Sequence, residues 1–165
     1  MWVVINFEKK YLPWLKKEIS DKLNGKPNFF MPKLKLQKFV KNKICNKDSF
    51  LLGNYLLCYH ENFNDPNTIN KLKYCKGLKY FLSCFLKSQK EIKEFVNKCK
   101  KHEDKEGYIK QSFFDLEGKK KFQFISGPFT NMIFKIISDN KHKTTTLIGN
   151  LKTTVLKNSY LFKSV

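Results

Sequence analysis

Apolar residues recur along the chain at two different spacings, and these spacings predict an ordered series of strands and helices. The β-branched and aromatic run Trp2–Phe7 is typical of a buried strand. In the next segment four apolar residues recur every three to four positions, which predicts an amphipathic helix with Pro13 in its first turn. Asn24 and Gly25 then supply the stop signal for that helix.

Alternation with a period of two predicts the strands that follow this first helix. Residues 29–40 alternate apolar and lysine side chains, as in a half-exposed strand. After a turn near residues 41–43, residues 49–60 are predicted to be the return partner of that strand. Their centre, residues 50–57, is nearly all apolar, as expected of a central strand covered on both faces.

Two further helices are predicted before residue 100. Asp65 is a typical N-cap residue and Pro66 suits the first helical turn, so a helix is predicted to begin here. Gly77 is predicted to end it. Residues 78–86 form the next predicted strand. The capping box of residues 88–91 then opens a third helix, whose inward residues are Ile92, Phe95, Val96 and Cys99.

The last fifty residues have a different sequence pattern. In them β-branched and aromatic runs alternate with turn residues. Five short strands are predicted, at residues 122–125, 132–137, 144–148, 153–156 and 160–162. Five short strands within residues 113–165 indicate a small β-barrel. The polar segment before this block predicts a linker.

The whole order is β-α-β-β-α-β-α followed by a linker and a barrel. Helices packed against an antiparallel sheet predict an α+β sandwich. We therefore expect an amino-terminal domain over residues 1–104, a linker over residues 105–112 and a five-stranded β-barrel over residues 113–165.

Charge is the strongest compositional signal. The formal net charge is +19 over 165 residues, and all 33 basic residues are lysines. Neither arginine nor alanine occurs, which is typical of an AT-rich coding sequence. Part of the lysine excess therefore reflects codon bias and is not a signal of function. The remaining excess favours a polyanionic partner, although lysine without arginine disfavours bidentate recognition of bases.

The sequence contains no constellation that predicts catalysis. It lacks a Gly-rich phosphate loop, a Ser/His/Asp pattern and paired carboxylates in an apolar context, so we expect a binding protein with no enzymatic activity and no cofactor. No two of the five cysteines form a Cys-x-x-Cys pair, and we expect reduced, mostly buried thiols and no metal site. The apolar amino terminus is too short for a membrane span, which predicts a soluble, cytoplasmic protein.

Five short segments resemble, in order, those of the NusG/Spt5 family of transcription elongation factors. The first four match that family's amino-terminal domain, and the last, a strand with a Gly-Pro-Phe exit, resembles a KOW motif. The segments are Trp2-Val3-Val4, Phe30-Met31-Pro32-Lys33-Leu34, Leu52-Gly53-Asn54-Tyr55-Leu56-Leu57, Lys76-Gly77-Leu78 and, within residues 122–129, Gly127-Pro128-Phe129.

The resemblance implies a NusG-type α/β sandwich followed by a KOW barrel. Residues 30–54 are more similar to specialised paralogues of the RfaH type than to housekeeping NusG. The chain departs from the family at two positions. Gly53 stands where the signature has proline, and Phe134 stands where a KOW glycine is expected, which implies a rebuilt turn in the barrel.

The resemblance also implies that the amino-terminal domain binds RNA polymerase. An apolar concavity would grip the clamp helices of the largest subunit, and one pair of residues would touch the gate loop across the cleft. The residues implied are Tyr55, Phe7, Leu57 and Phe81 for the concavity, and Asn67 and Thr68 for the gate loop. Alternatively, the first four are core residues and the last two belong to a helix cap.

Two further contacts are implied by the resemblance. Upstream or non-template DNA would meet lysines and aromatic rings, and the KOW domain would meet Rho, the ribosomal protein of the Nus complex or the ribosome. The residues implied are Lys16, Lys17, Lys73, Lys76, Trp14 and Tyr74 for DNA, and Leu147, Ile148 and Gly149 for the KOW partner. Solvated lysines, packed aromatic residues and ordinary barrel core are the alternatives.

The leading hypothesis is a monomeric transcription elongation or antitermination factor that binds RNA polymerase and DNA. The alternative is a ribosome-associated or RNA-binding KOW protein, for which the charge alone suffices. A third hypothesis, a carboxy-terminal block that folds as a helical hairpin, is disfavoured by the threonine-rich runs near residues 144–146 and 153–155.

Overall fold

The computed structural model describes residues 1–40, 43–83, 85–114, 121–156 and 159–165. Within these ranges the three α-helices are α1 (Leu12–Lys22), α2 (Pro66–Leu72) and α3 (Gln89–Lys101). The strands are β1 (Trp2–Phe7), β2 (Asn28–Phe30), β3 (Lys33–Val40), β4 (Lys43–Phe50), β5 (Tyr55–Tyr59), β6 (Leu78–Phe81), β7 (Phe122–Phe124), β8 (Ile133–Asp139), β9 (Lys143–Ile148), β10 (Leu151–Leu156) and β11 (Phe162–Ser164).

The chain divides into two compact units. Unit 1 comprises Met1–Pro32 and Phe50–Lys100, and unit 2 comprises Lys33–Ser49 and Lys101–Val165. The hairpin of β3 and β4 is thus grouped with the carboxy-terminal residues. The predicted boundaries near residues 104 and 113 stay a prediction.

Unit 1 is built on a four-stranded sheet in the order β2-β5-β1-β6, in which every pair is antiparallel. Successive residues of a strand face opposite sides of a sheet. On one face of the sheet, Ile5 and Leu56 belong to a buried hydrophobic cluster. Leu15 of α1 and Leu72 of α2 pack in the same cluster. The predicted α+β class with an antiparallel sheet is confirmed.

The opposite face of this sheet carries α3. Val4 and Leu57 are buried there with Val96 of the helix. The side chain of Gln89 fixes the start of α3, because its amide accepts from the backbone N–H of Trp2 at 2.9 Å and donates to the backbone oxygen of Trp2 at 2.7 Å. The helix predicted from the apolar spacing of residues 92–99 is therefore present.

Two predicted strands need correction. The strand predicted over residues 29–40 is broken after Phe30 into β2 and β3, because Pro32 has no N–H to give to a ladder. The partner of β3 is β4, which shares only Ser49 and Phe50 with the predicted partner, residues 49–60. From that predicted segment β5 pairs with β2 and β1 instead. Residues 51–54 form a turn, with Gly53 at a φ of 62°.

The strand predicted over residues 78–86 ends earlier, at Phe81, as β6. The register of β6 against β1 shifts between Asn6 and Phe7. This bulge turns both Leu78 and Phe81 toward the cluster that contains Ile5.

Unit 2 contains a five-stranded antiparallel sheet in the order β10-β9-β8-β7-β11. Five strands are present, as predicted for the carboxy-terminal block, but the last one lies at Phe162–Ser164 and shares only Phe162 with the predicted strand over residues 160–162. Four phenylalanines are buried together against this sheet, and the rings of Phe124 and Phe134 stack with centroids 4.2 Å apart. Phe134, the departure from the KOW pattern, is thus a core residue of β8 that pairs with Phe122.

The hairpin of β3 and β4 is linked to the rest of unit 2 by hydrogen bonds. Ile109 is buried and donates its N–H to the Lys33 oxygen at 2.8 Å, and the hydroxyl of Tyr108 donates to the carboxylate of Asp48 at 3.1 Å. Gly127 donates its N–H to the Gln37 oxygen at 2.7 Å. Part of the segment predicted as a linker, residues 105–112, is therefore hydrogen-bonded to the hairpin.

Candidate partner-binding groove and basic face

A groove of about 380 Å³ lies in unit 1 between the sheet and α3. Val4 and Leu57 form its buried floor, and Ile92 and Phe95 of α3 form one wall. The remaining lining residues are Leu52, Tyr55, Leu82 and Glu91. With a single charged side chain among them, the lining is almost entirely apolar.

The local sequence explains how this groove forms. Val4 pairs with Leu57 across β1 and β5, so both side chains emerge on the face that carries α3. Gly53 adopts a positive φ, which permits the tight turn in which Tyr55 donates its N–H to the Leu52 oxygen at 3.2 Å. The turn thereby places Leu52 and Tyr55 on the same rim.

Tyr55 is held in place by a second tyrosine. Its hydroxyl lies 3.0 Å from the hydroxyl of Tyr80, and the two share a hydrogen bond. The pKa of Tyr80 is raised above its ordinary value, first by this bond to Tyr55 and then by desolvation. Tyr80 is 47% exposed and the bond between the two hydroxyls is accessible to solvent.

Of the four residues expected at the concavity, Tyr55 and Leu57 line the groove. Phe7 and Phe81 do not. Phe7 is fully buried and Phe81 is packed on the opposite face of the sheet, in the cluster with Ile5. The register of β1 and the bulge in β6 put them there, so these two residues belong to the core.

The two residues expected at the gate loop, Asn67 and Thr68, lie in the first turn of α2. Both donate their backbone N–H to the carboxylate of Asp65, at 3.0 and 3.1 Å, and the Thr68 hydroxyl donates to it as well. These bonds hold the pKa of Asp65 below its ordinary value. The helix cap is therefore present, and the exposed Asn67 side chain is the part that a partner can reach.

The residues expected to contact DNA gather around α1 and the end of α2. The ammonium of Lys76 lies 5.8 Å from the ring centroid of Trp14, which is 59% exposed, and that of Lys16 lies 5.5 Å from the centroid of Phe29. Tyr74 is 87% exposed, and Lys17 and Lys73 are exposed as well. The Glu18 carboxylate lies among them and accepts from the backbone N–H of Lys76 at 2.9 Å. We refer to the six residues Trp14, Lys16, Lys17, Lys73, Tyr74 and Lys76 as the basic face.

The residues expected to meet a KOW partner lie at the turn between β9 and β10. Gly149 adopts a φ of 57° in this turn. Leu147 pairs with Lys135 on one side and with Lys152 on the other. Ile148 is half-buried and packs against the phenylalanine cluster. This position favours the alternative that Ile148 is a core residue over the alternative that it is an exposed partner contact.

Neither a metal-binding cluster nor a membrane-spanning helix is found in the ranges that the structure describes. No group of three or more His, Cys, Asp or Glu side chains lies close enough together to hold a metal ion there. None of the helices in those ranges is both long and apolar enough to cross a membrane.

No family model matches the chain, and no curated protein matches it. Among solved structures, it is similar to the crystal structure of the MjSpt4:Spt5 complex in conformation B, with 13% identity and a TM-score of 0.36 over 100% of this chain and 98% of that chain. It is also similar to a structure of domain interaction in Thermotoga maritima NusG, with 14% identity and a TM-score of 0.33 over 99% and 96%.

Proposed function

We propose that this protein is a transcription elongation or antitermination factor of the NusG type that binds RNA polymerase. The observation that carries the proposal is the apolar groove beside Tyr55. It occurs at the segment of unit 1 that resembles the family's polymerase-binding signature, and its floor, Val4 and Leu57, is formed by two of the matched segments.

The groove suits a helical partner. An amphipathic helix binds such a groove by placing apolar side chains at a spacing of three to four residues into it. Tyr55 and Leu82 stand at the rim and are accessible, while Leu57 forms the floor. A rigid aromatic ring next to an apolar pocket is a common energetic hot spot, and here the hydroxyl is already paired with Tyr80. The clamp helices of the largest polymerase subunit are the partner that we propose.

The basic face gives the proposal a second contact. Lys16, Lys17, Lys73 and Lys76 would neutralise phosphates of upstream or non-template DNA, and Trp14 and Tyr74 offer exposed rings for an unstacked base. A net charge of +19 would also speed the approach to a polyanionic elongation complex.

A binding protein of this kind needs no catalytic step to change transcription. Contact with the clamp helices through the groove, and with the gate loop through Asn67 and Thr68, would disfavour the open clamp associated with pausing. We propose that the carboxy-terminal sheet recruits Rho, a Nus factor or the ribosome through Leu147, Ile148 and Gly149. The similarity of residues 30–54 to RfaH-type paralogues favours action on selected transcripts.

The test is co-purification of RNA polymerase with the full chain and its variants. Leu82→Asp places a charge at the groove rim, where the side chain is 40% exposed, and the matched control Leu151→Asp places one at an exposed position of β10, 59% exposed. We expect Leu82→Asp and Tyr55→Ala to lose polymerase and Leu151→Asp to retain it. Equal retention by all three variants would exclude the groove as the polymerase site.

A ribosome-associated or RNA-binding protein is the second candidate. The observation that favours it is the exposure of Tyr74 and Trp14 among lysines, since such a face accepts RNA as readily as DNA. Sedimentation with ribosomes at physiological salt separates the two candidates. Ribosome binding that survives Leu82→Asp, without any polymerase binding by the unmodified chain, would favour the second.

A further inference from the structure

Unit 2 contains a polar cleft of about 610 Å³ that none of the functions above uses. The hairpin of β3 and β4 contributes Lys35, Gln37 and Asn46 to its lining. The segment after α3 contributes Tyr108 and Lys110, and the end of the carboxy-terminal block contributes Tyr160. Its volume falls within the range of small-molecule and cofactor sites, which is roughly 300–1,000 Å³.

The glycine of the Gly-Pro-Phe turn contacts two residues that line the cleft, Tyr160 and Gln37. Gly127 has a φ of 89°, and a Cβ on it would lie 2.2 Å from Cδ1 of Tyr160, so only glycine lets the ring pack there. The same glycine donates its N–H to the Gln37 oxygen at 2.7 Å. The turn that resembles a KOW motif therefore fixes both the aromatic wall and the hairpin wall of the cleft.

The acidic groups near the cleft are already engaged by hydrogen-bond donors. The Asp104 carboxylate accepts from the backbone N–H groups of Glu106 and Tyr108, both at 2.9 Å, and the Asp48 carboxylate accepts from the Tyr108 hydroxyl. Lys35 reaches Glu106 at 3.3 Å in an exposed ion pair, which salt and a competing anion weaken readily. Lys110 is exposed at the cleft as well.

The uncharged side chains that line the cleft offer hydrogen-bond donors and acceptors. Gln37 is half-buried and Asn46 is exposed, and both carry amides of the kind that bind base edges. Ser126 is only 2% exposed, and its oxygen accepts from the Leu161 N–H at 2.7 Å, which leaves the hydroxyl proton to donate.

We propose that this cleft binds one unstacked nucleotide of a single-stranded nucleic acid. The base lies against the tyrosine rings and bonds to the amide and hydroxyl groups, and the flanking phosphates meet Lys35 and Lys110. Stacking on aromatic side chains is indifferent to base identity, and lysines neutralise phosphates without reading sequence. The site is separate from the groove and from the basic face of unit 1, so the polymerase proposal and this one can fail independently.

The test is fluorescence anisotropy with the full chain and labelled ten-nucleotide oligoribonucleotides and oligodeoxyribonucleotides, which distinguish RNA from DNA as the source. The double variant Lys35→Gln/Lys110→Gln removes two charges at the cleft. The matched control, Lys143→Gln/Lys152→Gln, removes two exposed charges from β9 and β10 of the same unit. We expect about a tenfold loss of affinity for the cleft variant and less than about a twofold loss for the control at fixed salt. Equal losses, or no loss in either, would overturn the proposal.

A second measurement locates the base. Photo-crosslinking of a 4-thiouridine oligonucleotide to the unmodified chain, followed by peptide mapping, is expected to label the peptides that contain Tyr108 or Tyr160. Crosslinks confined to the peptides of Trp14 and Tyr74 would place the strand on the basic face of unit 1 and would overturn the proposal, whatever the variants do.

Discussion

The hydroxyl of Tyr55, a residue that lines the apolar groove, lies 3.0 Å from the hydroxyl of Tyr80. Tyr55 begins β5 and Tyr80 lies in β6, and β1 runs between these two strands. The bond therefore ties the signature segment near residues 52–57 to the strand that follows α2. It fixes the rim residue on which the proposed polymerase contact depends.

We predict that Tyr80 ionises at higher pH than an ordinary tyrosine and that Tyr55→Phe brings its pKa back down. The hydrogen bond favours the neutral phenol, so the pKa is raised from its ordinary value of 10.0. The resulting stabilisation is fully present below that ordinary value and is lost as the pH rises through the higher pKa of the folded state. An NMR titration of ring-labelled tyrosines measures this.

Tyr59→Phe is the control for this titration. Tyr59 lies in the same strand as Tyr55, but its ring lies against Trp2 and away from the pair, with centroids 5.4 Å apart. This variant should leave the Tyr80 titration unchanged. An unaltered Tyr80 titration in Tyr55→Phe would show that the bond is absent in solution.

Gly127→Ala should destabilise unit 2 more than Gly149→Ala does. Both glycines have a positive φ, so each substitution carries a conformational cost of about 1 kcal/mol. A Cβ at position 149 meets no atom within 4 Å, whereas one at position 127 meets the ring of Tyr160 at 2.2 Å. We expect an additional loss of about 1–3 kcal/mol for Gly127→Ala, measured by urea unfolding. Equal losses would mean that Tyr160 moves away at no cost.

The sequence pattern predicted most elements whose burial follows a simple period. α1 and α3 were predicted because their apolar residues recur at helical spacing, and the five carboxy-terminal strands were predicted because β-branched and aromatic runs alternate there with turn residues. β4 was missed because Lys43–Phe50 is largely polar, and pairing with β3 alone requires no apolar face. A strand of this kind leaves no hydrophobic signal in the sequence.

The candidate site was predicted only in part, for a related reason. Tyr55, which the signature resemblance names, lines the groove, and Leu82 lines it without having been predicted. Phe7 and Phe81 pack on the opposite face of the sheet, and the role of all these residues in binding stays a prediction. The register shift between Asn6 and Phe7 decides which residues of β6 lie on the side of the sheet that carries α3, and no residue type in the sequence indicates that bulge. The cleft of unit 2 was missed because its lining comes from the β3–β4 hairpin, residues 104–112, Ser126 and residues 159–161, which are far apart in the sequence.

Native-state thiol labelling should distinguish the cysteines by burial. Cys45 is exposed, and Cys58 is fully buried, with desolvation raising its pKa to about 12. Because the thiolate is the reactive form, we expect fast labelling of Cys45 at pH 8 and labelling of Cys58 only after unfolding. Peptide mass spectrometry after brief exposure to iodoacetamide checks this. Fast labelling of Cys58 in the native protein would contradict its position in the core of unit 1.

Phe134 provides the sharpest test of how this barrel-like unit departs from the KOW pattern. Its side chain is 1% exposed and its ring contacts those of Phe122, Phe124 and Phe162, so Phe134→Ala should cost about 3–5 kcal/mol through lost burial and a cavity. Ile137→Ala is the control in the same strand, since Ile137 is 50% exposed and its loss should cost less than about 0.5 kcal/mol. Hydrogen exchange of the β7, β8 and β9 amides reports on this unit alone. Similar exchange in the two variants would mean that a glycine-like turn, and not a phenylalanine core, occupies this position in solution.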